Sequence, residues 1–217
     1  MLNKLKNLPV FLQVLLFAIF ATLGAWLLLP EPTQQPDKSA LPWNSFRDEQ
    51  GRVHALGLVI GQSTLRDAMA LYGKDVEIKE FTDPDLQPTS VEAYFPAVYI
   101  VSIKSPLILR LKVDPQRMQA LLKEAPGVRA TPSGDKEVLL SEFQARTLLD
   151  APIESITLPA SKDLPKEAIL KRFGQPTHIR KNPADKTERW IYPQKGLEII
   201  MDPEGKEVFE WANFIRG

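Results

Sequence analysis

The chain has 217 residues, with 27 basic and 27 acidic side chains, two histidines and no cysteine. Balanced charge excludes the strongly basic footprint of a nucleic-acid binder. The lack of cysteine excludes disulfide support, thiol nucleophiles, thiolate metal sites and an acylated lipoprotein anchor. With 44% apolar residues the chain can bury a real core, and packing alone must stabilise it.

Taken in order, residues 1–8 read as a short tip carrying Lys4 and Lys6, followed by the uncharged apolar run 9–29, PVFLQVLLFAIFATLGAWLLL, closed by Pro30. That run is long enough to cross a bilayer. Thr22 to Ala25 make a poor cleavage site, so the expectation is a retained signal anchor rather than a cleaved signal peptide. The flanking lysines place the N-terminus in the cytoplasm and the rest outside, a single-pass protein of the bacterial inner membrane. Ala18, Ala21, Thr22 and Ala25 form a small-residue stripe of the kind common in such helices, and Gln13 reads as a tolerated polar residue. Residues 30–50 follow as a spacer with Pro30, Pro32, Pro36 and Pro42. Trp43 and Phe46 at its end either dock on the first domain or sit at the headgroup level.

The run Val53 to Ile60, bounded by Gly51 and Gly61, predicts a strand. Thr64 with Asp67 three residues on is a capping-box pattern, opening a helix with Leu65, Ala68, Met69 and Tyr72 on one face and Gly73 at its end. Strands are predicted at Val76 to Phe81 and Val91 to Phe95, separated by TDPDLQPTS. The clearest alternation lies at Leu107 to Val113. Asp114-Pro115 opens a helix with Met118, Leu121 and Leu122 on one face. Val128 to Leu140 reads as a hairpin, and Ser141 with Gln144 opens a helix that buries Phe143, Leu148 and Leu149.

The second half repeats this order. A strand at Ile156 to Leu158 and a helix after Pro165, ending at Gly174, precede strands at Thr177 to Arg180, Arg189 to Tyr192, Leu197 to Met201 and Glu207 to Trp211. The predicted fold class is α+β: an N-terminal transmembrane helix, then two tandem small helix-plus-antiparallel-sheet units over 51–150 and 151–217.

In the second unit, RFGQP followed by ERWIYPQKGLEIIMDPEGKEVFEW resembles the SmpA/OmlA (BamE) family through Gly174, Trp190, Tyr192, Asp202 and Gly205. The resemblance covers about 50 residues, and the elements that carry it are structural. It implies a helical start packed on an antiparallel sheet, and a non-catalytic protein of the assembly-factor type; a related fold occurs in β-lactamase inhibitors. The family members implied are outer-membrane lipoproteins. This chain has no cysteine to lipidate, so binding to other envelope proteins is the part of the expectation that carries over.

No residue pattern names a reaction. His54 and His178 stand alone, without H-E-x-x-H or ligand spacing. Gly61-Gln62-Ser63 lacks the second glycine of a nucleophile elbow. The acidic loop at Asp83 and Asp85 has Pro88 where a calcium loop needs glycine and Tyr94 where it needs glutamate. No catalytic, cofactor or metal residue is predicted. Residues 74–92 are acidic and 162–189 basic, which reads as ordinary solvated faces or as a basic unit meeting an acidic partner. Candidate interaction residues are Arg172, Arg180, Arg189, Tyr94, Phe95, Trp190 and Trp211. The function expected is protein–protein interaction in envelope assembly or regulation, with the membrane contacted through residues 9–29 and another envelope protein as partner. The alternative is a ligand-binding or inhibitor-type protein using the groove between the two units. A hydrolase working through Asp83 or Glu188 is a distant third.

Overall fold

The computed structural model describes residues 40–100, 102–203 and 205–213. The chain enters through a 3-10 turn at Pro42–Asn44 and a small antiparallel sheet of β1 (Phe46–Arg47), β2 (Val53–Ala55) and β3 (Leu58–Val59). Helix α1 (Leu65–Tyr72) follows. Thr64 Oγ1 accepts from the Asp67 amide at 3.3 Å while the Asp67 carboxylate accepts from the Thr64 amide at 2.8 Å, the reciprocal cap predicted from their spacing. Strands β4 (Glu77–Thr82), β5 (Pro88–Ile100) and β6 (Ile103–Leu111) form a meander. The ladder between β5 and β6 shifts register between Phe95 and Val98, where Pro96 has no amide to donate.

Helix α2 (Pro115–Glu124), capped by Asp114, leads to the hairpin β7 (Gly127–Ala130) and β8 (Lys136–Leu139), then to helix α3 (Glu142–Arg146). The last third is β9 (Ile153–Pro159), α4 (Lys166–Phe173) and the meander β10 (His178–Lys181), β11 (Glu188–Tyr192), β12 (Leu197–Met201) and β13 (Val208–Ala212).

Ten of these strands form one antiparallel sheet in the order β10-β11-β12-β13-β9-β6-β5-β4-β8-β7. This corrects the expected fold class. The molecule is mostly β, and its two halves are not separate tandem units, because β9 pairs with β6 on one side and with β13 on the other. Register carries one core-facing row across seven strands: the half-buried Ile78, then the buried Ala93, Leu109, Ile156, Trp211, Leu197 and Tyr192. The helices contribute Leu65, Ala68, Leu121, Ile169 and Phe173 to that same core. Successive strand residues alternate faces, so the neighbouring row, Lys79, Glu92, Arg110, Ser155 and Ala212, lies on the opposite face. The N-terminal sheet fastens to the end of the chain: the Val53 amide donates to Asn213 Oδ1 at 2.9 Å, and Asn213 Nδ2 donates to the Ile60 carbonyl at 3.0 Å. Gly196, at φ +54°, permits this approach, since a Cβ there would stand 2.1 Å from Val53 Cγ2.

A second correction concerns the membrane. Among the described residues no helix is long and apolar enough to cross one. The longest, α2, has ten residues, about 15 Å against a hydrocarbon core of about 30 Å. The expected transmembrane helix, signal anchor and single-pass inner-membrane placement are therefore not carried by the structure; residues 9–29, on which they rested, lie outside the described residues.

Candidate binding groove

A cleft of about 900 Å³ opens on the helical side of the sheet. One wall is the tip of the β5–β6 hairpin, where Ser102 takes φ +67° so that Ile100 can pair with Ile103. The facing wall is α4, presenting Ala168 and Arg172. The floor is apolar and buried: Ile100, Leu158, Ile169, Phe173 and Phe209, with the rings of Phe173 and Phe209 stacked at 5.4 Å.

The connection from β9 to α4 is shaped by Glu207, only 6% exposed. Its Oε2 accepts from the Leu164 amide at 2.9 Å, its carbonyl accepts from the Ala160 amide at 2.8 Å, and Lys206 Nζ donates to the Ser161 carbonyl at 3.1 Å. From the other wall, Ser105 Oγ donates to the Pro159 carbonyl at 2.7 Å. Trp43 also lines the cleft; its ring lies under the Arg172 guanidinium at 4.4 Å and its carbonyl accepts from Lys195 Nζ at 2.7 Å. Burial depresses the Lys195 ammonium from its ordinary value.

Three cations edge the cleft, Lys104, Lys162 and Arg172, and no carboxylate or histidine is among its lining residues. The side chains of Lys104 and Lys162 have no hydrogen bond or ion pair among the described residues.

Of the residues selected from sequence, the structure brings Arg172 to this cleft. Arg180 and Arg189 are cross-strand partners on the opposite face, where Arg189 already pairs with Glu198 at 2.5 Å. Tyr94 lies on that face too, beside Lys79, Phe81, Glu92 and Ile108. Phe95, Trp190 and Trp211 are core residues, 0%, 4% and 0% exposed. Lys162 stands in the basic stretch 162–189 noted above without being singled out, and Lys104 carries no signal in the sequence; both look like any exposed lysines until the hairpin and the β9–α4 connection meet. It also left Trp43 undecided; Trp43 docks on α4, while Phe46 stacks on His54 at 4.6 Å.

The remaining titratable candidates are engaged. Asp83 Oδ1 accepts from the Asp85 and Gln87 amides at 2.9 and 2.8 Å, closing the β4–β5 turn. Glu188 accepts from Lys166 Nζ at 2.9 Å and from Trp190 Nε1 at 3.2 Å, and the Lys166 hydrogen bond leads in holding its carboxyl below the usual range. Asp48 binds Arg52 Nε at 2.8 Å and lies 3.0 Å from His54 Nε2. Burial opposes its charge, but these bonds outweigh that and hold the carboxyl well below the usual range. Among the described residues no three His, Cys, Asp or Glu side chains are grouped to hold a metal ion. Compared with protein-family models, curated proteins and solved structures, the chain matches none of them.

Proposed function

We propose that this chain is a non-enzymatic binding protein whose working surface is the groove between the β5–β6 hairpin and α4. The observation that carries the reading is the groove itself: about 900 Å³, floored by side chains such as Ile169, Phe173 and Phe209 and edged by three cations. Apolar concavities of that size with a few polar groups at the mouth are the usual form of a ligand site. The SmpA/OmlA (BamE) resemblance belongs to the same proposal; α4 followed by the β10–β13 meander, with Trp190 and Tyr192 on the covered face, is what supports it.

The test is displacement of a neutral naphthylamine dye from the purified chain and from Ala168→Trp. Ala168 is exposed on the groove wall, so a bulky ring there fills the groove without entering the core. Dye binding should fall at least tenfold in the variant with the melting temperature unchanged. Equal dye binding by both proteins would remove the groove as the working surface.

A second reading, a partner protein, is favoured by β10. It has one neighbour in the sheet, all four of its residues are exposed, and Ile179 is 50% exposed. Such an edge can accept a partner's strand through main-chain hydrogen bonds. A proline at Ile179 should then abolish co-purification of a partner while leaving dye binding intact.

A further inference from the structure

Resting on the groove reading, we propose that its occupant is a single-chain amphipathic anion of the fatty acid class. Its carboxylate would be received by Lys104, Lys162 and Arg172, and its acyl chain would run over Phe173 and Phe209.

Charge complementarity argues for the anion. The three cations reach the cleft from three different elements: the β5–β6 hairpin, the β9–α4 connection and α4 itself. None of the lining residues is a carboxylate, and Glu207, buried behind the β9–α4 connection, is engaged by the Leu164 amide. Arg172 is held in place by the Trp43 ring, so part of the cost of ordering its side chain is met before a ligand arrives. Lys104 and Lys162 have no competing partner among the described residues.

The hydrogen-bond inventory argues for an acyl chain over a peptide. A peptide entering an apolar groove must find partners for every amide and carbonyl it buries. Here Ser105 Oγ donates to the Pro159 carbonyl and the Ser161 carbonyl receives Lys206, so these three polar groups of the groove's lining already have a partner. A polymethylene chain has none to satisfy. Each methylene it buries strengthens binding by about fourfold.

The experiment is competition against the neutral dye on the full chain by octanoate, decanoate, dodecanoate, dodecanol and vesicles of phosphatidylglycerol, each fatty acid kept below its micellar concentration. Affinity should climb about fourfold per methylene from octanoate to dodecanoate, and dodecanoate should bind at least tenfold tighter than dodecanol. In the doubly substituted Lys104→Gln, Lys162→Gln protein, which keeps Arg172, that gap should narrow severalfold, with dodecanoate weakened and dodecanol unchanged. Both lysines are exposed, and an unchanged melting temperature separates this loss from misfolding. Equal binding of acid and alcohol, or an unaltered gap in the double variant, would overturn the anion. Displacement by vesicles with none by the free acids would assign the groove to a two-chain lipid and overturn the proposal. If no amphiphile competes while Ala168→Trp still excludes the dye, the occupant is of another class and the groove reading stands. If Ala168→Trp binds dye normally, both fall.

Discussion

Glu80 stands on the buried face of β4, opposite Val91 and Val138, fully buried and with no hydrogen-bond partner for either carboxylate oxygen among the described residues. Desolvation disfavours its charged form and pushes its pKa from 4.5 up to about 7. The sign of the consequence follows from proton counting. Below about pH 4.5 the folded and unfolded chains both hold the proton, and Glu80 makes no difference. Between about pH 4.5 and about pH 7 only the unfolded chain releases it, so stability falls as pH rises. Above about pH 7 the loss is complete, on the order of 3 kcal/mol. Glu80→Leu, which removes the charge and keeps an apolar filler of similar size, should raise stability at neutral pH by that order and show a flatter profile over the same window. Urea denaturation of both proteins across pH checks this. Parallel profiles would show that the carboxyl does not titrate there.

Elements were legible where their signals are local. Both capping boxes form as the spacings Thr64 to Asp67 and Ser141 to Gln144 predict, and β12 occupies the stretch Leu197–Met201 that its apolar run marked. Helix α3 shows where local reading stops. Phe143 was expected inside and is 78% exposed, while Gln144 is 5% exposed. The helix has only five residues, too few for periodicity to choose a face. What chooses it is Gln144: its Oε1 accepts from the Ser141 amide at 2.9 Å and its Nε2 donates to the Leu121 carbonyl at 3.0 Å, joining α3 to α2. Gln144→Ala removes the side-chain half of the capping box and leaves the Leu121 carbonyl without this donor, which should cost about 1–3 kcal/mol. Phe143→Ala should stay within about 0.5 kcal/mol. Chemical denaturation decides, and the reverse order would mean that Phe143 packs.

At the scale of the molecule, the sequence showed strands but not their partners. The repeat of helix then strands suggested two sheets, and nothing in Ile153–Pro159 itself announces that the strand is paired on both edges. The groove was hidden for the same reason, since Lys104 and Arg172 are 68 positions apart and meet only because β9 joins the halves. A shared sheet has a mechanical consequence. Ile156 is fully buried at the seam, opposite Leu109 of β6 and Trp211 of β13. Ile156→Ala leaves a cavity there and should cost about 2–5 kcal/mol. With one core spanning seven strands, that loss should be felt on both sides of the seam. Hydrogen exchange under native conditions should show protection falling to the same extent in β5 and in β12, through a single cooperative opening. Loss confined to β9–β13, with β4–β6 as protected as before, would mean that the two halves open independently. The groove, whose walls come one from each half, should loosen together with the seam, and dye affinity in Ile156→Ala should drop before global unfolding begins.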